Sequence, residues 1–347
     1  MSRAAALCVL GLLWPMNASS QPATAVIQPQ EWDAYKTRFV EESGRVVDDA
    51  NGNISHSEGQ GYGLLLAWLA GSRTDFERIW SFTRMNLMLR DDGLAVWKWD
   101  PQADPPVTDT NNASDGDMLI AYALALAGRG WSEARFTDSA GDIAVSLAAH
   151  AMFEHEGRML LSPGVAGFGA QERPDGPVVN LSYWVFEALP VLRELAPNAD
   201  WAALDQSGRQ LVAEAGFGAR ALPPDWLSLG GQPQPAQGFP TEFSYNAVRI
   251  PLYLIRAGEP DRELLQRMLT GMTGPGGGLA LVDLESNEIK AELMEAGYRI
   301  IPALARCVLH GTPLPQDVRR FEPTMYYPST LHLLALAHAR EARPECL

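Results

Sequence analysis

The run Met118-Leu119-Ile120-Ala121-Tyr122-Ala123-Leu124-Ala125-Leu126-Ala127 is apolar almost all round a helix, whereas the segment after it, Ser132 to Phe153, is apolar on one face only. A helix without a polar face has to be buried on every side; one with a polar face lies between core and solvent. The same two kinds recur along the chain. Gly61 to Ala70, Tyr183 to Leu195, Ala247 to Ala257, Leu293 to Val308 and Thr330 to Ala339 are of the buried kind. Trp32 to Glu42, Asp75 to Leu89, Asp200 to Ala215 and Arg262 to Met272 are amphipathic. Six buried and five half-buried helices taking turns predict an all-α fold in which an outer ring wraps an inner one. That is an (α/α) barrel, with a helical solenoid as the other arrangement. A twelfth helix is not visible. Strand signals are scarce, and no low-complexity linker splits the chain, so residues 21–347 read as one domain.

The N-terminus reads as an export signal. Met1-Ser2-Arg3 is a short basic start, Ala4 to Leu13 is apolar, and Ala18-Ser19-Ser20 offers small residues for cleavage. Residues 1–20 are therefore expected to be a signal peptide, with Ala25 as a second cleavage position. The apolar run is short of the roughly 20 residues a membrane span needs, and no other segment is long enough. The expected mature protein is soluble and periplasmic or secreted. Cys8 would leave with the signal, and Cys307 and Cys346 could then pair in an oxidising compartment. Lys and Arg number 27 against 42 Asp and Glu, a formal net charge of -15. Such a chain repels phosphate backbones and anionic lipid, which disfavours nucleic acid and membrane surfaces as partners. A neutral polymer meets no such penalty.

The polar residues of interest gather where inner helices begin. Ser57-Glu58-Gly59-Gln60-Gly61-Tyr62-Gly63 opens the first, Asn111-Asn112-Ala113-Ser114-Asp115-Gly116-Asp117 the second, Asn180-Leu181-Ser182-Tyr183-Trp184 the third and Glu242-Phe243-Ser244-Tyr245-Asn246 the fourth. If inner helices run parallel, these heads meet at one mouth of the barrel. Carboxylates, amides and flat rings would then line one cleft, which is what a sugar site needs. Each acid also has a plainer reading, since Ser55-x-x-Glu58 and Ser114-x-x-Asp117 fit capping boxes. The three glycines around Glu58 each cost helix stability, about 1 kcal/mol apiece. A cap does not require them, whereas a ligand lying against the backbone would. Trp97, Trp99, Trp184, Trp226, Tyr326 and Tyr327 are candidate stacking rings or core residues, and His56 is a hydrogen-bonding neighbour of Glu58 rather than a metal ligand. No HExxH, paired-Cys, P-loop, GxGxxG or GxSxG element is present, so no metal, nucleotide cofactor or nucleophile elbow is indicated.

Ala113-Ser114-Asp115-Gly116-Asp117-Met118, running on to Trp131, resembles the signature segment of glycoside hydrolase family 8, and His56 to Gly63 resembles the segment carrying that family's proton donor. Asn180 to Tyr183, Leu222 to Trp226 and Phe243 to Tyr253 match further. Together they resemble the endoglucanases that accompany bacterial cellulose synthase. The resemblance implies an (α/α)6 barrel and endo-β-1,4-glucan hydrolysis with inversion, with Glu58 as general acid and Asp115 binding and distorting the sugar. It also implies glucan contacts from Trp97, Trp99, Asn112, Tyr183, Trp226 and Arg249, no cofactor, a monomer, and association with a cellulose synthase complex. One position departs: the family's general-base Asp is replaced by Asn246, an amide that positions water but does not take its proton at neutral pH. Asp115, Asp225 and Glu242 are the candidate replacements. Two other functions stay open, a catalytically weakened glucan-binding protein and the same enzyme acting on xylan or chitosan.

Overall fold

A computed structural model describes residues 25–347 apart from Glu259. The expected signal peptide and Cys8 lie outside the described residues. Twelve α-helices follow in order: α1 (Pro29–Phe39), α2 (Ser57–Leu69), α3 (Arg73–Asn86), α4 (Ser114–Gly130), α5 (Ala134–His150), α6 (Leu189–Leu195), α7 (Trp201–Glu214), α8 (Ile250–Arg256), α9 (Arg262–Met272), α10 (Ala296–His310), α11 (Gln316–Arg319) and α12 (Tyr326–Ala342). The even-numbered helices, α11's neighbours included, form the inner ring. It closes because α12 packs on both α10 and α2. The odd-numbered helices form the outer layer, so the chain is an (α/α)6 barrel. The twelfth helix is α11, a single turn with only Val318 buried. One turn cannot show a period, which is why the sequence hid it.

Two inner helices are shorter than the hydrophobic pattern predicts. The stretch from Tyr183 to Leu195 is a 3₁₀ turn (Leu181–Tyr183) followed by irregular chain, and α6 starts only at Leu189. Pro190 explains the break, since it lacks an N–H and is tolerated only in a helix's first turn. Pro251 imposes the same split on the next inner helix, with a 3₁₀ turn at Ala247–Arg249 ahead of α8. Both breaks lie at the mouth of the barrel, where they free backbone and side chains for other work.

Short antiparallel strands decorate the loops. Leu279–Asp283 pairs with Ile289–Leu293, with Leu279 opposite Leu293, and Glu242–Phe243 joins its other edge. Met152–His155 pairs with Arg158–Leu161. Ser55–His56 pairs with Lys98–Trp99, tying the start of α2 to the loop before α4. Cys307 and Cys346 form a disulfide that fastens the C-terminal turn to α10. No helix among the described residues is long and apolar enough to cross a membrane.

Candidate active site

All six inner helices send residues into one cleft of about 490 Å³: Ser57 and Glu58 from α2, Asp115 from α4, Tyr183 and Arg249 from the 3₁₀ turns before α6 and α8, Tyr298 from α10, and Tyr326 and Tyr327 from α12. The sequence pointed to four of these heads, and the structure adds the last two.

At its floor Arg249, almost wholly buried, holds two carboxylates. Nη1 donates to Glu58 Oε1 at 2.7 Å and Nη2 to Asp115 Oδ2 at 2.6 Å. The guanidinium also lies 5.7 Å from the Tyr183 ring centre. Asp115 is 1% exposed, against 19% for the Glu58 side chain. Burial, and then the charge of Glu58, push the Asp115 carboxyl up to about 7, while Arg249 pulls it back. A carboxyl in so poorly solvated a place favours its neutral form.

The cap on α2 differs from the capping box. His56 is the N-cap, and its Nδ1 accepts the Gly59 N–H at 2.9 Å. Its Nε2 faces Asp48 Oδ2 at 3.4 Å. Ser55 instead donates to the Val46 carbonyl. Two of the three glycines after Glu58 serve packing, Gly63 against Val46 and Gly61 against α4, whereas Gly59 faces His56 and Tyr326 of the cleft lining. A Cβ on Gly61 would stand 2.6 Å from Leu119 Cβ, and one on Gly116 would stand 2.1 Å from Ser57 Oγ and 2.6 Å from the Glu58 nitrogen. Helices α2 and α4 thus approach almost backbone to backbone, which fixes Glu58 beside Asp115.

Asp117, the other acid of that motif, does not reach the cleft. Its carboxylate accepts the Ala95 N–H at 2.7 Å and Asn112 Nδ2 at 2.9 Å, and burial raises its pKa to about 7. Asn112 has its Oδ1 taken by the Val165 N–H at 2.7 Å, so it braces loops and does not line the cleft. Of the tryptophans, Trp97 lines the cleft, its indole N–H held by Asp109 at 2.8 Å. Trp99 packs edge-on to Phe82 beneath Arg45. Trp184 is core. Trp226 is stacked between Phe168 and Phe239, outside the cleft lining and edge-on to Tyr183.

Asn246 lines the cleft, and its Nδ2 lies 3.3 Å from Asp225 Oδ2. Asp225 is buried behind it and accepts the Ser244 and Ala247 N–H groups, each at 2.9 Å. Glu242 is paired with Lys290 and does not line the cleft. The sequence reading gave no role to three lining residues, Asp48, Tyr245 and Tyr298. Asp48 and Tyr298 sit in segments with no motif, whereas Tyr245, 50% exposed, lay inside a quoted one. An exposed tyrosine next to Asn246 was the available signal.

A sequence profile described as glycosyl hydrolases family 8 matches residues 4–339. The chain belongs to that family. An endoglucanase of Cellulomonas uda is 38% identical over 225 residues, which is 64% of this chain and 62% of that protein. A crystal structure of a family 8 endoglucanase from Klebsiella pneumoniae superposes with a TM-score of 0.82 at 33% identity, covering 90% of this chain and 99% of that one. An endo-β-1,4-glucanase from Acetobacter xylinum gives 0.80 at 33% identity, covering 91% and 98%.

Proposed function

We infer that this family 8 chain is an endo-acting β-1,4-glucanase that cleaves internal glucan bonds with inversion. The observation that carries the reading is the pairing of Glu58 and Asp115 on one buried arginine, in a cleft walled by Trp97, Tyr183, Tyr245 and Tyr298. Flat rings suit pyranose faces, which makes this cleft apt for a glucan chain.

In this mechanism Glu58, the more accessible acid, gives its proton to the glycosidic oxygen as the bond to the anomeric carbon breaks. Asp115, fixed by Arg249 and the Gly116 N–H, holds the sugar on the non-reducing side. Water attacks from the opposite face, so the new reducing end has inverted configuration. Asn246, across the ring of helices from α2, positions that water. The Cys307–Cys346 bridge supports an exported, oxidising location. The resemblance to endoglucanases that accompany cellulose synthase supports work beside that complex on nascent glucan.

The test is a panel of carboxymethyl cellulose, xylan and chitosan, read by reducing ends and viscosity, with proton NMR of the first-formed anomer. An early fall in viscosity on the glucan, with α-anomer product, is expected. Binding of glucan without turnover would instead favour the weakened binding protein that Asn246 brought into view, and faster turnover of xylan or chitosan would change the substrate.

A further inference from the structure

An inverting reaction needs an acceptor for the proton of the attacking water, on the wall opposite the acid. Three of the four candidate carboxylates are engaged elsewhere. Asp115 is bound to Arg249. Asp48 faces His56 on the loop leading into α2, the acid's own wall. Glu242 is paired with Lys290 outside the cleft lining. Asp225 is different. It sits behind Asn246 at the head of α8, three places round the six-helix ring from α2.

The two oxygens of Asp225 are unequally satisfied. Oδ1 takes two N–H bonds at 2.9 Å, from Ser244 and Ala247. Oδ2 has only long contacts with Asn246, 3.4 Å to its backbone nitrogen and 3.3 Å to Nδ2. Asn246 thus turns Nδ2 towards a buried carboxylate, and among the described residues no protein donor reaches its Oδ1. Burial also raises the pKa of Asp225, which makes it a better proton acceptor than an ordinary aspartate.

Resting on the inverting reading above, we propose that Asp225 is the proton acceptor of the reaction and that Asn246 relays the proton to it. As water oxygen bonds to the anomeric carbon, a water proton passes to Asn246 Oδ1. In concert a proton leaves Nδ2 for Asp225 Oδ2, and the amide becomes its imidic-acid form. After the product leaves, Asp225 returns its proton to Nδ2, Oδ1 releases its own to solvent, and Glu58 takes one proton back from solvent. The proton lost by water thus replaces the one that Glu58 gave to the leaving sugar, and the cycle balances. A neutral amide at this position is then a working part of the site rather than a lost base.

The experiment measures kcat on carboxymethyl cellulose, and cellohexaose affinity by calorimetry, for wild type, Asp225→Asn, Asn246→Leu and the double variant Asp225→Asn/Asn246→Asp. The single variants should each lose about 10²-fold or more in kcat, as expected for removal of a general base, with affinity within about threefold. The double variant should recover to within about tenfold of wild type, because its new carboxylate faces the water directly. That rescue separates proton acceptance from shaping of the turn, which the double variant would not repair. Should Asp225→Asn fail to fold, Asn246→Leu carries the test. The proposal is overturned if Asn246→Leu keeps most of its kcat, if Asp225→Asn does, or if a folded, sugar-binding double variant shows no recovery. Absence of hydrolysis in wild type would instead overturn the glucanase reading itself.

Discussion

Replacing Asp115 by Asn should make the protein less active and, at alkaline pH, more stable. The Asp115 carboxyl has its pKa raised from 3.8 to about 7, first by burial and then by the charge of Glu58. Between those values the folded protein holds a proton that the unfolded chain has released, so stability falls as pH rises through the window. Some three units at about 1.4 kcal/mol each set a ceiling of about 4 kcal/mol on the penalty at pH 8. Asparagine escapes that penalty but loses a charge-assisted bond from Arg249, worth about 1.5–3 kcal/mol. The variant should therefore be more stable than wild type at pH 8, by at most about 1–2.5 kcal/mol, the difference of those two terms. By pH 4.5 wild-type Asp115 is protonated, and the advantage should be gone. Asp117 is present in both proteins, and its titration differs between them only through loss of the Asp115 charge, a lesser cause of its raised pKa than burial. Urea denaturation at pH 4.5, 6.5 and 8 reads the difference, with kcat measured alongside. A stability gap that is the same at all three pH values, or a variant with near-normal kcat, would refute the reasoning.

Asp117→Asn should act on stability first. An amide cannot accept both the Ala95 N–H and Asn112 Nδ2 as the carboxylate does, so a loss of about 1–3 kcal/mol is expected by thermal melting at pH 4.5, shrinking towards pH 8 as the ionised wild-type carboxylate meets the burial that raises its pKa to about 7, with a smaller loss of kcat than at Asp115. Gly116→Ala would drive a Cβ into Ser57 and the backbone of Glu58. Steady-state kinetics should show a fall in kcat, together with about 1–3 kcal/mol of overpacking in a melt. Cys346→Ser should lower stability by about 2–4 kcal/mol, and a reductant should do the same to wild type but nothing further to the variant.

The barrel was legible because burial leaves a periodic trace, and helices apolar all round, such as Met118 to Ala127, have nowhere to go but an inner ring. What the sequence hid was local. Pro190 and Pro251 convert the starts of two apolar runs into 3₁₀ turns, and hydrophobicity alone does not register a missing N–H. Glu58 and Asp115 stand out by position, but the packing role of Gly61 and Gly116 does not. Their lack of a Cβ lets α2 meet α4, a contact between distant segments that no local pattern encodes. Asn112 and Trp226, glucan contacts by the family resemblance, lie outside the cleft lining, beside Asp117 and two phenylalanines respectively. Asp225 is one of three candidate bases in the sequence, and nothing local ranks it above Asp115 and Glu242. Its place behind Asn246 is a product of the fold.

The central claim is that Glu58 delivers the proton to the leaving sugar, and Glu58→Gln tests it most directly because the amide keeps the size and the contact to Arg249 but has no acidic proton to give. The measurement is kcat on carboxymethyl cellulose, with cellohexaose affinity and melting temperature determined on the same samples. The account predicts a loss of about 10²–10⁴-fold in kcat, the usual contribution of a general acid, with affinity and melting temperature nearly unchanged. A folded Glu58→Gln protein that keeps most of its turnover would contradict it.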